Sequence, residues 1–227
     1  MIMTTPARRH QMRVRAAMAA ATATPGHTLA GHRQYDLMLA KLATDRRRLK
    51  EFQSVARKIE VKREVLPDYA DYVDGALAGG KGVQDDVLTT VLIWRVDVGD
   101  YVGALEIARY ALAHRMTLPD QYERSLPAAV AEEFAEAGIR SQAAGEQFPL
   151  ALLVEVEALT RGIDMHDQIR AKLHKAVGLA METSDKSGAL EMLRRAVELN
   201  DRIGVKKDIT RLEAELRSAA AKAGRTN

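Results

Sequence analysis

The chain has 227 residues, a net charge of +3 and no cysteine, which excludes disulfides, thiolate zinc sites and a cysteine nucleophile. Hydrophobic residues make up 47% but aromatic residues only 4%, and the dominant residues are those that lose least on entering a helix. Because long alternating β-branched runs are also missing, the composition predicts an all-α protein. No apolar run reaches the roughly 20 residues of a membrane span, so we expect no membrane partner.

The charge is distributed unevenly along the chain. Residues 1–64 hold 14 Lys/Arg against 5 Asp/Glu, whereas the remaining residues hold 20 against 26. A basic end on an acidic body favours a polyanion partner such as nucleic acid. The alternative is a solvated helix surface whose charge is uneven without serving a partner.

Residues 1–30 are predicted to form a flexible basic arm. The Ala-rich stretch "RAAMAAATATPG" has only a transient helical pattern, which Pro25-Gly26 would end. The arm lacks the apolar core of a signal peptide, and we expect a cytoplasmic protein. Its candidate DNA-binding residues are Arg8, Arg9, Arg13 and Arg15.

Residues 31–66 predict one long basic amphipathic helix, which Pro67 stops. Apolar side chains recur at heptad spacing along one seam, and Asp45 occupies a seam position between Lys41 and Arg48. The seam residues are Tyr35, Met38, Leu42, Leu49, Phe52 and Ile59. The candidate DNA-binding residues outside the seam are Arg46, Arg47, Arg48, Lys50, Arg57, Lys58, Lys62 and Arg63.

A lone helix cannot bury such a seam, so the seam must pack against another helix. We predict that it joins copies of the chain into a homo-oligomer, with Asp45 fixing the register. The alternative is an ordinary core helix that packs onto its own chain while other surfaces join the subunits.

Residues 67–205 are predicted to form a helical, repeat-like body, followed by a C-terminal helix or tail at 206–227. The sequence "GALE" occurs at Gly103 and again at Gly188, each time three residues after an aspartate. In each copy it opens the second helix of a helix–turn–helix unit, and the first unit resembles a tetratricopeptide repeat. Two further helices are expected between the copies, from Pro127 to Ala144 and from Pro149 to Arg161.

No catalytic cluster is recognisable in the sequence. Asp85 and Asp86 are adjacent and therefore point about 100° apart on a helix, which suits capping of the helix that follows better than acid–base catalysis. Gly79-Gly80-Lys81-Gly82 does not match a phosphate-binding loop, and the histidines lack metal-binding spacing. We therefore predict no catalytic residue, no metal ligand and no cofactor.

Six segments of the sequence resemble one protein family: "TPARRHQMRVRAAMAA" (5–20), "YDLMLAKLATDRRRLK" (35–50), "KREVLPDYADYVDGAL" (62–77), "GKGVQDDVLTTVLIWRVDVGDYVGALEIARYAL" (80–112), "IRAKLHKAVGL" (169–179) and "GVKKDITRLEAEL" (204–216). They resemble the small subunit of tailed-phage terminase, in the branch from temperate contractile-tailed phages that package cohesive-ended DNA. The family pattern includes a longer, basic C-terminal tail, whereas this sequence ends in "AAAKAGRTN".

The resemblance implies a protein of the host cytoplasm that binds the packaging site on double-stranded viral DNA. It also implies a homo-oligomer, commonly a ring, that recruits the large subunit, whose ATPase is the packaging motor. The small subunit of this branch is often labelled the endonuclease subunit, but the cutting centre is expected on the large subunit. A second hypothesis is a helical adaptor, in which residues 87–118 and 169–202 bind a partner protein without direct DNA recognition.

Overall fold

The structure, a computed structural model, describes residues 5–22, 29, 32–120 and 122–223. These residues form helices joined by turns and contain no strand, which confirms the predicted all-α fold. The chain divides into two compact units, Met1–Leu126 and Pro127–Asn227, here called the N-terminal and C-terminal units. Their boundary lies inside the segment predicted as a single body at 67–205.

The N-terminal unit is built around a helix that is buried on all sides. Its helices are α1 Pro6–Thr22, α2 Arg33–Lys50, α3 Val55–Val65, a short 3-10 helix Leu66–Tyr69, α4 Ala70–Gly79, α5 Asp86–Val98 and α6 Tyr101–Ala113. Every residue from Val87 to Trp94 in α5 is buried. Helices α2, α3 and α6 pack against α5, and α1 packs against α4.

The C-terminal unit begins at the second residue of α7 Leu126–Ala143 and contains α8 Leu150–Thr160, α9 Asp167–Met181, α10 Lys186–Leu199 and α11 Lys206–Ala223. Helix α9 packs against α8 and α10, and α11 packs against α10. Leu212 of α11 and Val205 just before it form one buried cluster with Ala189 and Leu193 of α10. Up to Ala223, the segment at 206–227 is therefore a helix that covers α10.

None of the described helices is both long and apolar enough to cross a membrane.

The predicted flexible arm is wrong for residues 6–22, which form α1. Ala16 and Ala20 of α1 are buried against α4. Opposite them, α4 has Gly75 and Gly79, and a Cβ added at Gly75 would lie only 2.7 Å from the Cβ of Ala16. The small residues let the two helices approach closely, which the Ala-rich composition alone did not reveal. Pro25 and Gly26, the predicted end of the arm helix, lie outside the described residues.

The predicted single helix over 31–66 is also wrong, since residues 51–54 separate α2 from α3. Ser54 is the N-cap of α3, and its hydroxyl accepts a hydrogen bond from the backbone N–H of Arg57 at 3.3 Å. Because the Ser54 side chain accepts a hydrogen bond from a backbone N–H at the start of α3, a new helix can begin here and α2 need not continue. The heptad register ends at the break, because α3 buries Val61 and Val65 while Ile59 is only half-buried.

The apolar seam of α2 lies in the core of the N-terminal unit. Tyr35, Met38, Leu42 and Leu49 are all buried, with Leu42 only 1% exposed. Helix α2 packs against α5, α3 and α1 of the same chain. The role of the seam in joining subunits stays a prediction. The apolar side chains that motivated this prediction are covered by other helices of the same chain.

The two "GALE" segments begin second helices, as the sequence predicts. Asp100 caps α6 by accepting a hydrogen bond from the N–H of Gly103 at 3.0 Å, and Asp185 caps α10 by accepting one from Gly188 at 2.9 Å. A Cβ at either glycine would collide with the capping carboxylate. The repeat thus encodes a helix start, and its assignment to tetratricopeptide repeats stays a prediction.

Replacing either capping aspartate by alanine should lower the free energy of unfolding by about 1 kcal/mol, because a helix N–H loses its acceptor. Urea unfolding of the Asp100→Ala and Asp185→Ala variants measures this. The control is Glu106→Ala, which alters an exposed residue of the same repeated segment and should change stability by less than about 0.5 kcal/mol. Losses no larger than that of the control would contradict the capping role.

Candidate nucleic-acid interface

Helix α1 is held on α4 by a buried carboxylate. Asp71 of α4 is buried, and it accepts hydrogen bonds from Arg9 Nε at 2.8 Å and from Arg13 Nη2 at 2.9 Å. Burial alone would raise the pKa of Asp71, but the hydrogen bonds from Arg13 and Arg9 outweigh it and hold the pKa below its usual value. Two of the four predicted arm arginines therefore also fasten α1 to the fold.

The other two arginines of α1 face solvent. Arg8 and Arg15 are exposed, and neither has a carboxylate partner in the described part of the chain. Helix α1 also exposes Val14 and Met18, which are 40% and 63% accessible. Its outward surface thus combines cationic and apolar side chains.

Several predicted DNA-binding residues of α2 and α3 already bind other residues of the N-terminal unit. Arg46 donates a hydrogen bond to Thr90 of α5 at 2.7 Å, and Lys62 forms an ion pair with Asp97 at the other end of α5. Arg48 donates two hydrogen bonds to Glu64, which joins α2 to α3. Arg57 pairs with Glu60 within α3.

A smaller set of basic residues on α2 and α3 remains available. Arg47 and Lys50 are exposed at the end of α2, Lys58 is half-buried, and none of the three has a carboxylate partner among the described residues. Arg63 is exposed and its guanidinium reaches the carbonyl of Val98 at 3.4 Å. Arg47 donates hydrogen bonds only within α2, to the carbonyl of Ala43 and the hydroxyl of Thr44. The candidate interface therefore comprises the basic residues of α1, α2 and α3 that lack a carboxylate partner, all in the N-terminal unit.

The buried carboxylates of this unit have structural partners. Asp45 accepts hydrogen bonds from Tyr69 at 2.6 Å and from Lys41 at 2.8 Å. Asp85 accepts one from Tyr72 at 2.6 Å and caps α5 through the N–H of Leu88 at 2.9 Å, which confirms its predicted capping role. Sequence reasoning missed both tyrosines, because nothing in the spacing shows that the segment from 66 to 79 folds back over α2 and α5.

Comparisons with known proteins all point to one family. The model of the family described as "Phage small terminase subunit" matches residues 39–168. The chain belongs to the phage small terminase subunit family. It is 49% identical over 217 residues to the "Terminase, endonuclease subunit" of Escherichia phage P2, a match that covers 95% of this chain and 87% of that protein.

A second relative is more distant. The "Probable terminase, endonuclease subunit" of Haemophilus phage HP1 (strain HP1c1) is 25% identical over 205 residues, which cover 84% of this chain and 73% of the relative. No solved structure matches the chain. Helix α1, which supplies part of the candidate interface, precedes the residues matched by the terminase family model.

The buried Asp85 of this terminase subunit should make stability depend on pH. Burial raises its pKa from 3.8 to about 6, so the folded state retains a proton that the unfolded state has lost between about pH 4 and pH 6. The free energy of unfolding should therefore fall as pH rises through this window, by roughly 1–3 kcal/mol relative to Asp85→Asn.

Chemical unfolding of both proteins at pH 4 and pH 7 measures this effect. Asparagine keeps an oxygen that accepts the helix-capping hydrogen bond but does not titrate. A stability difference between the two proteins that is the same at both pH values would contradict the assignment.

Proposed function

We propose that this small terminase subunit binds the cohesive-end packaging site on double-stranded viral DNA and brings the large, ATP-hydrolysing subunit to it. The family membership supports the general role in phage DNA packaging. The observation that supports direct DNA binding is the set of basic side chains on α1, α2 and α3 that have no carboxylate partner among the described residues. We further propose that it acts in the host cytoplasm.

Charge favours the N-terminal unit as the DNA-binding part. Residues 1–64 carry an excess of basic residues, whereas residues 127–227 hold 15 Lys/Arg against 16 Asp/Glu. Contacts between basic side chains and phosphates supply most of the sequence-independent affinity for DNA. Such contacts also fix the orientation of a protein on the duplex.

The C-terminal unit is the better candidate for recruiting the large subunit. Its outer ion pairs are balanced, as in Arg194–Glu213 and Lys186–Glu215, which gives a neutral surface with little attraction for DNA. This assignment accommodates the alternative hypothesis of a helical adaptor, since α9 and α10 belong to the segment predicted to bind a partner protein. The other segment of that hypothesis, residues 87–118, lies in the N-terminal unit.

We propose a homo-oligomer that uses surfaces other than the buried seam of α2. Tyr35, Met38, Leu42 and Leu49 pack within their own chain, so polar substitutions there should unfold the N-terminal unit. Copies joined through other surfaces still array several sets of basic residues along the DNA, which raises overall affinity without new kinds of contact.

Replacing Arg47 and Lys50 together by alanine should weaken binding to duplex DNA and reduce its salt dependence. Each lost phosphate contact removes about one unit from the slope of log affinity against log salt, so the slope should fall by about two. Fluorescence anisotropy at several salt concentrations measures the slope.

The matched control is Arg194→Ala with Arg195→Ala, which removes the same charge from the C-terminal unit and should leave the slope unchanged. Point variants are preferable to deleting residues 1–64, because α2 and α3 contribute core residues. Equal slopes for the wild-type and Arg47/Lys50 proteins would exclude these two phosphate contacts.

DNA cleavage should require the large subunit. The curated relatives are named endonuclease subunits, yet Asp45, Asp71 and Asp85 are here engaged in holding helices together. We expect cohesive-site DNA incubated with magnesium or manganese to be cut when both subunits are present and to stay intact with this protein alone. Specific cutting by the isolated protein would place a nuclease centre in this chain.

A further inference from the structure

We propose that the outward face of α1 reads base edges in the major groove of duplex DNA. This inference rests on the DNA-binding function proposed above and adds the residues that distinguish one sequence from another. It assigns base contacts to Gln11 and Arg15, flanked by Arg8, with apolar contacts from Val14 and Met18.

The two faces of α1 are separated by the helix period. Each residue advances about 100° around the axis, so residues three, four and seven apart share a face. Arg9, Arg13, Ala16 and Ala20 form the face that packs on α4. The opposite face carries the exposed residues Arg8, Gln11, Val14, Arg15 and Met18.

Helix α1 is compatible with the electrostatic surroundings of a DNA groove. Among the helices that the structure describes, it is the one without Asp or Glu, although it is 17 residues long and contains four arginines. The exposed surface of α3, by contrast, includes Glu60 and Glu64, which phosphates would repel. Charge complementarity therefore favours α1 as the helix that approaches the duplex most closely.

The side chains of the outward face match the chemistry of base recognition. The major groove admits an α-helix, and a helix of this length extends about 25 Å along it. Arginine pairs with guanine through two hydrogen bonds, glutamine does so with adenine, and apolar side chains contact the thymine methyl group. Gln11 and Arg15 lie one turn apart, with Val14 beside them, so they present all three kinds of contact together.

The attachment of α1 to α4 makes this face well defined. Asp71 binds Arg9 and Arg13 on the packed side, and Gly75 and Gly79 allow the close contact of Ala16 and Ala20. A reading helix must hold its side chains in a fixed geometry, because a loosely held one distinguishes bases poorly. Arg9 and Arg13 act here as positioning residues, while the residues of the opposite face stay free for the ligand.

The exposed Val14 and Met18 also suit contact with a second copy of the chain. Pairing two copies of α1 through this face would bring Arg8 and Arg15 of one copy towards the same residues of the other. Like charges at such positions oppose association. Duplex DNA can contact the cationic and the apolar residues of this face at the same time, so we propose duplex DNA as its ligand.

The test is a selection of duplexes with a randomised central segment by the full-length protein. The Gln11→Ala and Arg15→Ala variants and the control Arg47→Ala are taken through the same selection. Alanine at exposed helix positions favours the helix, and circular dichroism verifies folding. We expect the wild-type protein to enrich a consensus sequence. Gln11→Ala and Arg15→Ala should each lose preference at one base pair by about tenfold or more, while Arg47→Ala weakens binding to all duplexes equally.

Other outcomes separate this inference from the proposed function. If the wild-type protein binds duplexes without a consensus, or if Gln11→Ala and Arg15→Ala keep the wild-type consensus, α1 does not read bases although the protein binds DNA. If Met18→Glu leaves DNA binding unchanged but dissociates an oligomer in light scattering, the face joins copies of the chain. If the wild-type protein retains no duplex even at low salt, DNA binding by this subunit fails as well.

Discussion

The burial of α5 on all sides is the constraint on which the N-terminal unit depends. A helix with apolar residues around its whole circumference must be covered by several others, and α2, α3 and α6 do this. The hydroxyls of its two buried threonines, Thr89 and Thr90, donate to the carbonyls of Asp85 and Asp86 in the preceding turn. Because α2 turns its apolar seam towards this core, its basic residues are left at the edges and outside.

The basic residues of the N-terminal unit consequently divide into two groups. Basic residues near a neighbouring helix form ion pairs with it, as Lys62 does with Asp97 and Arg48 with Glu64. Basic residues on the outer surfaces lack a carboxylate partner in the described chain. A surface ion pair contributes little to stability, but it neutralises the cation and occupies its donors. The proposed DNA-binding surface therefore comprises fewer residues than the net charge of the segment suggests.

The contact between α1 and α4 fixes the position of the helix that we propose to contact DNA. A buried aspartate and two glycines of α4 hold α1 in place, and such tertiary packing supplies most of the stability of a helix in a protein. Packing against α4 orders α1 and leaves its outward face exposed. The proposed division between a neutral C-terminal unit and a cationic N-terminal unit then separates partner recruitment from DNA recognition.

Local rules in the sequence determined the helical class, the helices from α5 to α10 and the helix starts at the two "GALE" segments. Helix periodicity, helix-ending glycines and N-caps act within a few residues, so they can be read without knowing the fold. The tertiary structure decided what the local pattern left open. The seam of α2 has the same heptad spacing whether it packs on its own chain or on a copy, and only the position of α5 shows that it is buried. Likewise, Arg9 and Arg13 resemble free arginines until α4 places Asp71 beside them, because a partner 58 or 62 residues away leaves no signal in the spacing.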